Sequence, residues 1–243
     1  MQNILYITGA GVSAESGIPT FRGVDGYWTI GSKNYTPQQM ATRAMYRQNP
    51  VQFLLWYYKR FATYRDHGAN DVHYWLADKN LITQNIDGLD GKAGNENYIS
   101  IHGRLDKMTI FHEQGDDVDV VTAPYDDLDT NLNDAEFSKA LLEMFKIEDE
   151  APKLNVSFKP YVLLFDEVYT ELYRINEAHE RMYGADKIIF MGTSFSVNIT
   201  QMALDIAVQN NIPIEIVDPN PINMGHINVK YHKMTALDYI QSV

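Results

Sequence analysis

A glycine-rich segment near the start of the chain constrains the fold more than any other feature. The apolar run from Ile4 to Thr8 has the character of a buried strand, and Gly9-Ala-Gly11-Val-Ser-Ala14 follows it directly. This segment matches the G-x-G-x-x-G/A pattern of the turn that binds dinucleotides between a strand and a helix. The first glycine would allow the tight turn, and the second would let the backbone approach a pyrophosphate. The pattern predicts an α/β fold with a nucleotide at the end of this strand.

One part of the dinucleotide pattern is missing. Enzymes that transfer a hydride with this turn carry an acidic residue about 20 positions further on, where it holds the ribose. Nothing near Ile30 fits that role. A conventional dehydrogenase is therefore disfavoured, while nucleotide binding is not.

Strands and helices alternate along most of the chain. Apolar runs predict further strands over 81–83, 98–101, 161–165, 187–191 and 212–217. Apolar residues at helical spacing predict helices over 37–48, 50–65, 168–182, 199–210 and 235–240. Gly184 is a plausible stop for the helix that begins at Val168. This alternation predicts an α/β fold with a Rossmann-like parallel sheet, helices on both faces and right-handed crossovers.

The stretch from Arg104 to Lys159 differs from the rest and predicts a small inserted module, partly loop. It is rich in acidic pairs and contains one amphipathic segment, over 135–146, with Asp134 as its predicted cap. The Rossmann-like large part is predicted to comprise approximately 1–30, 68–103 and 159–243. The small module would then comprise approximately 31–67 and 104–158.

Composition excludes several classes of function. Acidic residues outnumber basic ones by 32 to 20, for a formal net charge of -12, which disfavours general binding to nucleic acid or to an anionic membrane. A basic peptide partner fits better, although the charge also aids solubility.

The chain has no cysteine, which excludes disulfides, a thiolate nucleophile and a cysteine-based zinc site. The opening residues show no signal peptide and no apolar stretch reaches membrane-spanning length, so we expect a cytoplasmic protein.

Five segments, in order along the chain, resemble the signatures of the sirtuin family. They are Thr8 to Gly23, Thr83-Gln-Asn-Ile-Asp-Gly-Leu89, Ile101-His-Gly103, Lys159-Pro-Tyr-Val-Leu-Leu-Phe-Asp-Glu167, and Gly192-Thr-Ser194 with Val197. The resemblance implies one catalytic domain over 1–243 that uses NAD and an acylated lysine of a protein or peptide. The oligomeric state stays open.

The resemblance also implies roles for individual residues. His102 would be the base for a ribose hydroxyl, since an imidazole can take a proton near neutral pH. Asn85, the second catalytic candidate, would position the ribose or a water molecule, and Asp87 would bind the nicotinamide carboxamide. The predicted NAD-binding residues are Gly9, Ala10, Gly11, Ser13, Glu15, Phe21, Arg22, Gln84, Asn85, Ile86, Asp87, Gly192, Thr193, Ser194 and Asp218. The predicted substrate-binding residues are Phe165, Asp166, Glu167 and Val197.

The chain departs from the sirtuin pattern at several places. Between Arg104 and Asn155 it lacks the two Cys-x-x-Cys pairs that hold zinc in typical members, and His112-Glu113 offers no convincing tetrahedral spacing, so no metal is predicted. Asp166 replaces a glycine of the usual Phe-Gly-Glu. Asp90 stands where a histidine is often found. Substrate type is therefore less constrained than the use of NAD.

Three functions remain open from the sequence. The first is an NAD-dependent protein lysine deacylase, which releases nicotinamide and transfers the acyl group to ADP-ribose. The second is a protein ADP-ribosyltransferase or NAD hydrolase that uses the same site, which the missing zinc module and the altered peptide loop favour. The third is a non-catalytic module that binds NAD or ADP-ribose, which the presence of both His102 and Asn85 disfavours.

Overall fold

We analysed a computed structural model that describes residues 2–19, 35–148, 151–225 and 228–243. Its strands are β1 (Ile4–Thr8), β2 (Asn80–Thr83), β3 (Ile99–Ser100), β4 (Gly103–Ile110), β5 (Val120–Thr122), β6 (Phe158–Val162), β7 (Lys187–Met191), β8 (Ile214–Val217) and β9 (Val229–His232). Its α-helices are α1 (Pro37–Met40), α2 (Arg43–Gln48), α3 (Pro50–Tyr64), α4 (Asp71–Leu76), α5 (Leu89–Lys92), α6 (Asp134–Met144), α7 (Ile175–Tyr183), α8 (Asn198–Gln209) and α9 (Ala236–Ser242).

The large sheet has six parallel strands in the order β3-β2-β1-β7-β8-β9. The chain moves outward from β1 in one direction and then returns to begin the other half at β7. This is the doubly wound arrangement, and its order reverses between β1 and β7. Open α/β sheets bind ligands at such a reversal, outside the carboxyl ends of the strands. The predicted Rossmann-like sheet is confirmed.

Alternation along β1 shows how the sheet is covered on both faces. Leu5 and Ile7 lie in one core cluster together with Ala178 of α7 and Ala203 of α8. Tyr6 points to the opposite face, in a cluster that includes residues of α4 and α9. Successive side chains of a strand point to opposite faces, so one short segment contributes to two cores. Both clusters are apolar and buried, which fixes the sheet between two helical layers.

A second, antiparallel sheet has the order β5-β4-β6 and belongs to a separate core. The apolar run predicted as a strand over 161–165 is placed differently from the prediction. The strand is β6, and it pairs with β4 of the small sheet instead of joining the parallel sheet. Composition alone could not decide this, because an apolar run is equally suited to either sheet.

The core beside the small sheet is rich in aromatic rings from α3 and from the segment 125–145, which contains α6. Tyr58 packs on Tyr125 and on Phe137, with ring centroids 5.6 and 4.8 Å apart, and Phe61 lies 4.4 Å from Tyr125. Phe145 is also fully buried there. Aromatic side chains bury large apolar areas, so this cluster stabilises the small module through packing. The approximate domain boundaries stay a prediction.

Three predicted helices differ from the observed ones. The segment 37–48 forms two short helices, because Ala41 and Thr42 leave the helical conformation and Thr42 caps α2. The helix predicted from Val168 begins only at Ile175, because Arg174 adopts a left-handed conformation, with φ of 57°. Asn133, not Asp134, caps α6, since its side chain accepts from two backbone N–H groups of the first turn. Among the described residues, no helix is long and apolar enough to cross a membrane.

Candidate active site

Two glycine-containing loops meet backbone to backbone at the reversal of strand order. Gly11 N–H donates to Gly192 O at 2.9 Å, and Gly9 N–H donates to Met191 O at 3.1 Å. A Cβ on Gly11 would lie 2.6 Å from Gly192 Cα, and one on Gly9 would lie 2.9 Å from Gly192 O. These contacts explain the glycines differently from the sequence pattern. Gly9 has an extended backbone that any residue adopts, and glycine is required at both positions by the approach of the loop after β7.

The segment that follows β1 is a short 3-10 helix, Ala10–Ser16, where the sequence pattern predicted a turn that leads into a helix. Ser13 lies within it and is fully buried. Its hydroxyl does not cap the helix, although serine often has that role near a helix N-terminus. Instead Ser13 Oγ donates to Asp87 Oδ2 at 2.7 Å and accepts from Asn85 Nδ2 at 3.1 Å. A single hydroxyl thus joins the loop after β1 to two predicted site residues after β2.

His73 and Asn70 support this arrangement from α4, and sequence reasoning missed both. Asn70 N–H donates to His73 Nδ1 at 3.2 Å, so the proton of the neutral ring is on Nε2, which lies 3.4 Å from Ser13 Oγ. Burial lowers the pKa of His73, against the effect of Asp87, and favours this neutral form. The signal was available, because Asn70-Asp-Val-His73 has the spacing of a capping box.

His102 is brought to the same edge of the sheet, and its two ring nitrogens have different partners. Nδ1 lies 3.0 Å from the carbonyl oxygen of Gln84, and Nε2 lies 2.9 Å from the hydroxyl of Tyr169. A carbonyl only accepts, so Nδ1 carries the proton and Nε2 is an acceptor. Burial lowers the pKa of His102 to about 4, although the hydrogen bond to Gln84 acts in the opposite direction. The imidazole is therefore neutral at pH 7 and able to take a proton.

The other predicted NAD-binding residues line the same edge at various depths. Gln84 Nε2 donates to Thr8 O at 2.9 Å and to Thr193 Oγ1 at 3.1 Å, which ties the loops after β2 and β7 together. Asp218 follows β8 directly, and its carboxylate accepts from Asn220 N–H at 2.8 Å. Half-buried positions are occupied by Ala10, Ile86 and Ser194, while Glu15 is exposed. Phe21 and Arg22 lie outside the described residues.

Asp166, the unusual residue of the predicted peptide loop, has a local structural partner. Its carboxylate accepts from the backbone N–H groups of Arg43 at 2.7 Å and Ala44 at 3.2 Å, the first two residues of α2. A carboxylate at a helix N-terminus satisfies free N–H groups and interacts favourably with the helix dipole. Phe165 N–H donates to Ala41 O at 2.9 Å. The loop is thereby attached to the start of α2, which accounts for an aspartate in this place.

Glu167 faces the protein interior instead of the surface. Its carboxylate accepts from Lys159 Nζ at 3.1 Å, from Arg43 at 3.0 Å and from Leu164 N–H at 2.9 Å. Burial acts to raise the pKa of Glu167, but these contacts outweigh it and the pKa is lowered. Lys159 is fully buried and its other partner is a backbone carbonyl. Phe165 is exposed and Val197 is half-buried, so side-chain contact with a substrate is open to these two and not to the carboxylate of Glu167.

Asp90, which stands where sirtuins often have a histidine, lies in the first turn of α5, shortly after the Asn85–Asp87 loop. It is 1% exposed, and its Oδ1 has no hydrogen-bond partner among the described residues. Burial and the nearby charge of Asp87 raise its pKa to about 7, while a hydrogen bond with Thr83 acts against the shift.

No group of three or more His, Asp or Glu side chains within the described parts of the chain could hold a metal ion. His112, one residue considered for that role, is buried and its Nδ1 donates to Ile110 O at 2.7 Å. Its neighbour Glu113 is exposed.

Comparison with known proteins gives the site its family context. The Sir2 family matches over residues 9–199, which include every described site residue named above except Asp218. This chain belongs to the Sir2 family. The predicted resemblance to sirtuins is confirmed.

Relatives of this sirtuin align over most of its length. It is 30% identical to NAD-dependent protein deacylase 1 of Caldanaerobacter subterraneus subsp. tengcongensis, over 97% of this chain and 90% of the relative. It is 28% identical to the NAD-dependent protein deacylase of Leptospira interrogans, over 90% of this chain and 82% of the relative. The solved structure of a Sir2 homologue with NAD superimposes with a TM-score of 0.72 at 26% identity, covering 98% of this chain and 86% of the other.

The residues of this sirtuin fit NAD. The glycine loops and Ser13 lie at the carboxyl ends of β1 and β7, where the strand order reverses. Asp218 provides a carboxylate at the end of β8, where it could accept hydrogen bonds from ribose hydroxyls, and His102 provides a neutral base nearby along the same edge. This set of carboxylates, hydroxyls and a neutral imidazole suits a ligand with ribose hydroxyls, whereas a hard metal ion would require a cluster of oxygen ligands, which the described residues do not form.

Proposed function

We propose that this protein is an NAD-dependent protein lysine deacylase. The observation that carries the proposal is His102, a neutral imidazole with Nε2 as its acceptor, at the reversal of strand order in a Sir2 fold. When bound, NAD supplies the ADP-ribose that receives the acyl group and the nicotinamide that leaves. The substrate class is an acylated lysine of a protein or peptide.

Each site residue has a separate role in the proposed reaction. His102 Nε2 takes a proton from a ribose hydroxyl, because Nδ1 is already protonated and held by Gln84. Ser13 keeps Asn85 and Asp87 in a fixed relation, so their remaining polar atoms can orient the nicotinamide ribose and its carboxamide. Asp218 binds the other ribose of NAD, the one that does not carry the nicotinamide. These roles are proposals for this chain.

The decisive experiment is a mass-spectrometric product assay with purified protein, NAD and acetyl-lysine peptides. We expect nicotinamide and O-acetyl-ADP-ribose to form only when the peptide is present. His102→Ala should lose this activity, and His179→Ala is the matched control, since it removes the same side chain from α7, a helix that contributes no predicted site residue. Undiminished acyl transfer in His102→Ala would refute the assigned base.

The same assay separates the second candidate function. The attachment of the Phe165–Asp166 loop to α2 is the observation that favours it, because this loop is where the resemblance expects the peptide. Free or protein-linked ADP-ribose formed without peptide would identify an NAD hydrolase or ADP-ribosyltransferase. NAD binding with no nicotinamide release under any condition would leave only a binding module.

We also propose that the protein acts in the cytoplasm and without nucleic acid. The excess of acidic residues, which repels phosphate backbones, supports the absence of a nucleic-acid partner. Cell fractionation with an antibody to the protein tests the location, and a membrane-pelleted or secreted pool would contradict it.

A further inference from the structure

The hydroxyl of Tyr169 is hydrogen-bonded to Nε2 of His102, the atom that would take the proton in the proposed reaction. Nε2 is the only acceptor of the neutral ring, and it has one lone pair. The 2.9 Å contact with Tyr169 therefore uses that lone pair, with the phenol as donor. Neither the glycine-rich pattern nor the family signatures pointed to this residue.

Tyr169 is held in this position by its surroundings. Its ring lies 5.9 Å from the His102 ring at an interplanar angle of 24°, and it packs against the core cluster that contains α7 and α8. Burial raises the pKa of Tyr169 to about 12, while a contact with the backbone of Ile199, in the first turn of α8, acts against the shift. The phenol is thus protonated at neutral pH and can only be the donor toward a neutral imidazole.

We propose that Tyr169 is a positioning residue for His102, whose hydroxyl holds Nε2 in the free protein and yields that place to a ribose hydroxyl when NAD binds. The second part of this proposal, the exchange on NAD binding, rests on the proposed function. Both hydroxyls can donate to the same nitrogen, so Nε2 keeps a hydrogen-bond donor before and after the exchange. His102 is consequently kept in the Nδ1-protonated form in both states, ready to accept a proton.

Titratable groups on the neighbouring elements must be separated from this effect. Asp87 and Asp90 lie on the loop and helix after β2, and Arg104 lies on β4. Burial lowers the pKa of His102 and the hydrogen bond to the Gln84 carbonyl acts against it, and none of these three charges is among the causes. Burial raises the pKa of Asp90 to about 7, so a pH–rate profile alone would not separate the two groups. A measurement on the imidazole itself is therefore required.

The test is ¹⁵N NMR of the His102 ring in the unliganded protein, with Tyr169→Phe and the matched control Tyr161→Phe. Tyr161→Phe also removes one buried phenol oxygen, whose hydrogen bond goes to Leu172 O and not to histidine. At neutral pH we expect an Nδ1-protonated ring in all three proteins, with the Nε2 resonance moved toward that of a free lone pair only in Tyr169→Phe. The apparent pKa of His102 should rise by about half to one unit in that variant, since a donor to the neutral form is lost.

NAD titration by calorimetry tests the exchange. Tyr169→Phe should bind NAD about 2- to 10-fold more tightly, because the ribose hydroxyl no longer competes with the phenol, and Tyr161→Phe should bind as wild type does. Weaker binding of NAD by a folded Tyr169→Phe would overturn the exchange. An unchanged Nε2 resonance would overturn the positioning contact. Failure of wild-type protein to bind NAD would refute the exchange together with the proposed function, while the NMR result still decides the contact.

Discussion

The buried carboxyl of Asp90 should make the stability of the protein depend on pH. Its pKa is raised from 3.8 to about 7, by burial first and by the charge of Asp87 second. In the unfolded chain the group loses its proton near its ordinary pKa, whereas in the folded protein it keeps it up to about pH 7. The folded state therefore binds more protons between these values, and stability falls as pH rises through this window. Above pH 7 the full penalty is present.

The magnitude follows from the two pKa values. A shift of this size corresponds to a total of about 4 kcal/mol, of which about 2.5 kcal/mol develops between pH 5 and pH 8. Asp90→Asn replaces the ionisable oxygen by an amide of the same shape. The free energy of unfolding of Asp90→Asn, relative to wild type, should consequently rise by about 2.5 kcal/mol over that range.

Urea denaturation at pH 5, 6, 7 and 8 measures this difference. Asp117→Asn is the matched control, because Asp117 is exposed and has the same chemistry. The control should differ from wild type by a small amount that does not change with pH. A constant difference between Asp90→Asn and wild type across the four pH values would refute the argument, whatever its sign.

Three further substitutions test other parts of the structure. Gly11→Ala should abolish NAD binding or folding, since its Cβ would lie 2.6 Å from Gly192 Cα, and thermal melting with NAD titration checks this. Lys159→Met should reduce the free energy of unfolding by about 3–5 kcal/mol because it leaves the carboxylate of Glu167 buried beside fewer cations, and adding Glu167→Gln should recover part of the loss in a urea double-mutant cycle. Asp166→Ala should cost about 0.5–2 kcal/mol through the lost cap on α2, and an unchanged urea midpoint would contradict this.

The sequence predicted the parts of the fold that depend on local pattern. β1 and β7 are short apolar runs beside glycine turns, and α3 begins at a proline and carries a periodic apolar stripe, so each was found close to its observed bounds. β9 was missed because its residues are half-buried or exposed at the sheet edge and show no apolar run. The partner sheet of β6 was also out of reach, since pairing depends on the whole topology.

The candidate site likewise contains residues that local sequence signatures predicted and contacts that they did not. Family signatures named His102, Asn85 and Ser13, and the structure brings all three to one edge of the sheet. The contact between His102 and Tyr169 joins residues 67 positions apart, and Tyr169 lies in none of the five signatures. The role of Asp166 depended on which backbone N–H groups it could reach. Such information exists only after the chain has folded, because it concerns pairs of residues and not single ones.

The close approach of Gly11 and Gly192 has a consequence for how this enzyme can change over time. Their contact consists of main-chain atoms, so no side-chain substitution elsewhere can reproduce or adjust it. Substitutions at either position are expected to be removed by selection, while the residues around Phe165, the predicted peptide loop, make no such main-chain contact with the loop after β7 and are freer to vary. The edge of the sheet where NAD is proposed to bind should therefore change least in sequence. New acyl substrates should be gained through substitutions elsewhere in the molecule, while the NAD site stays the same.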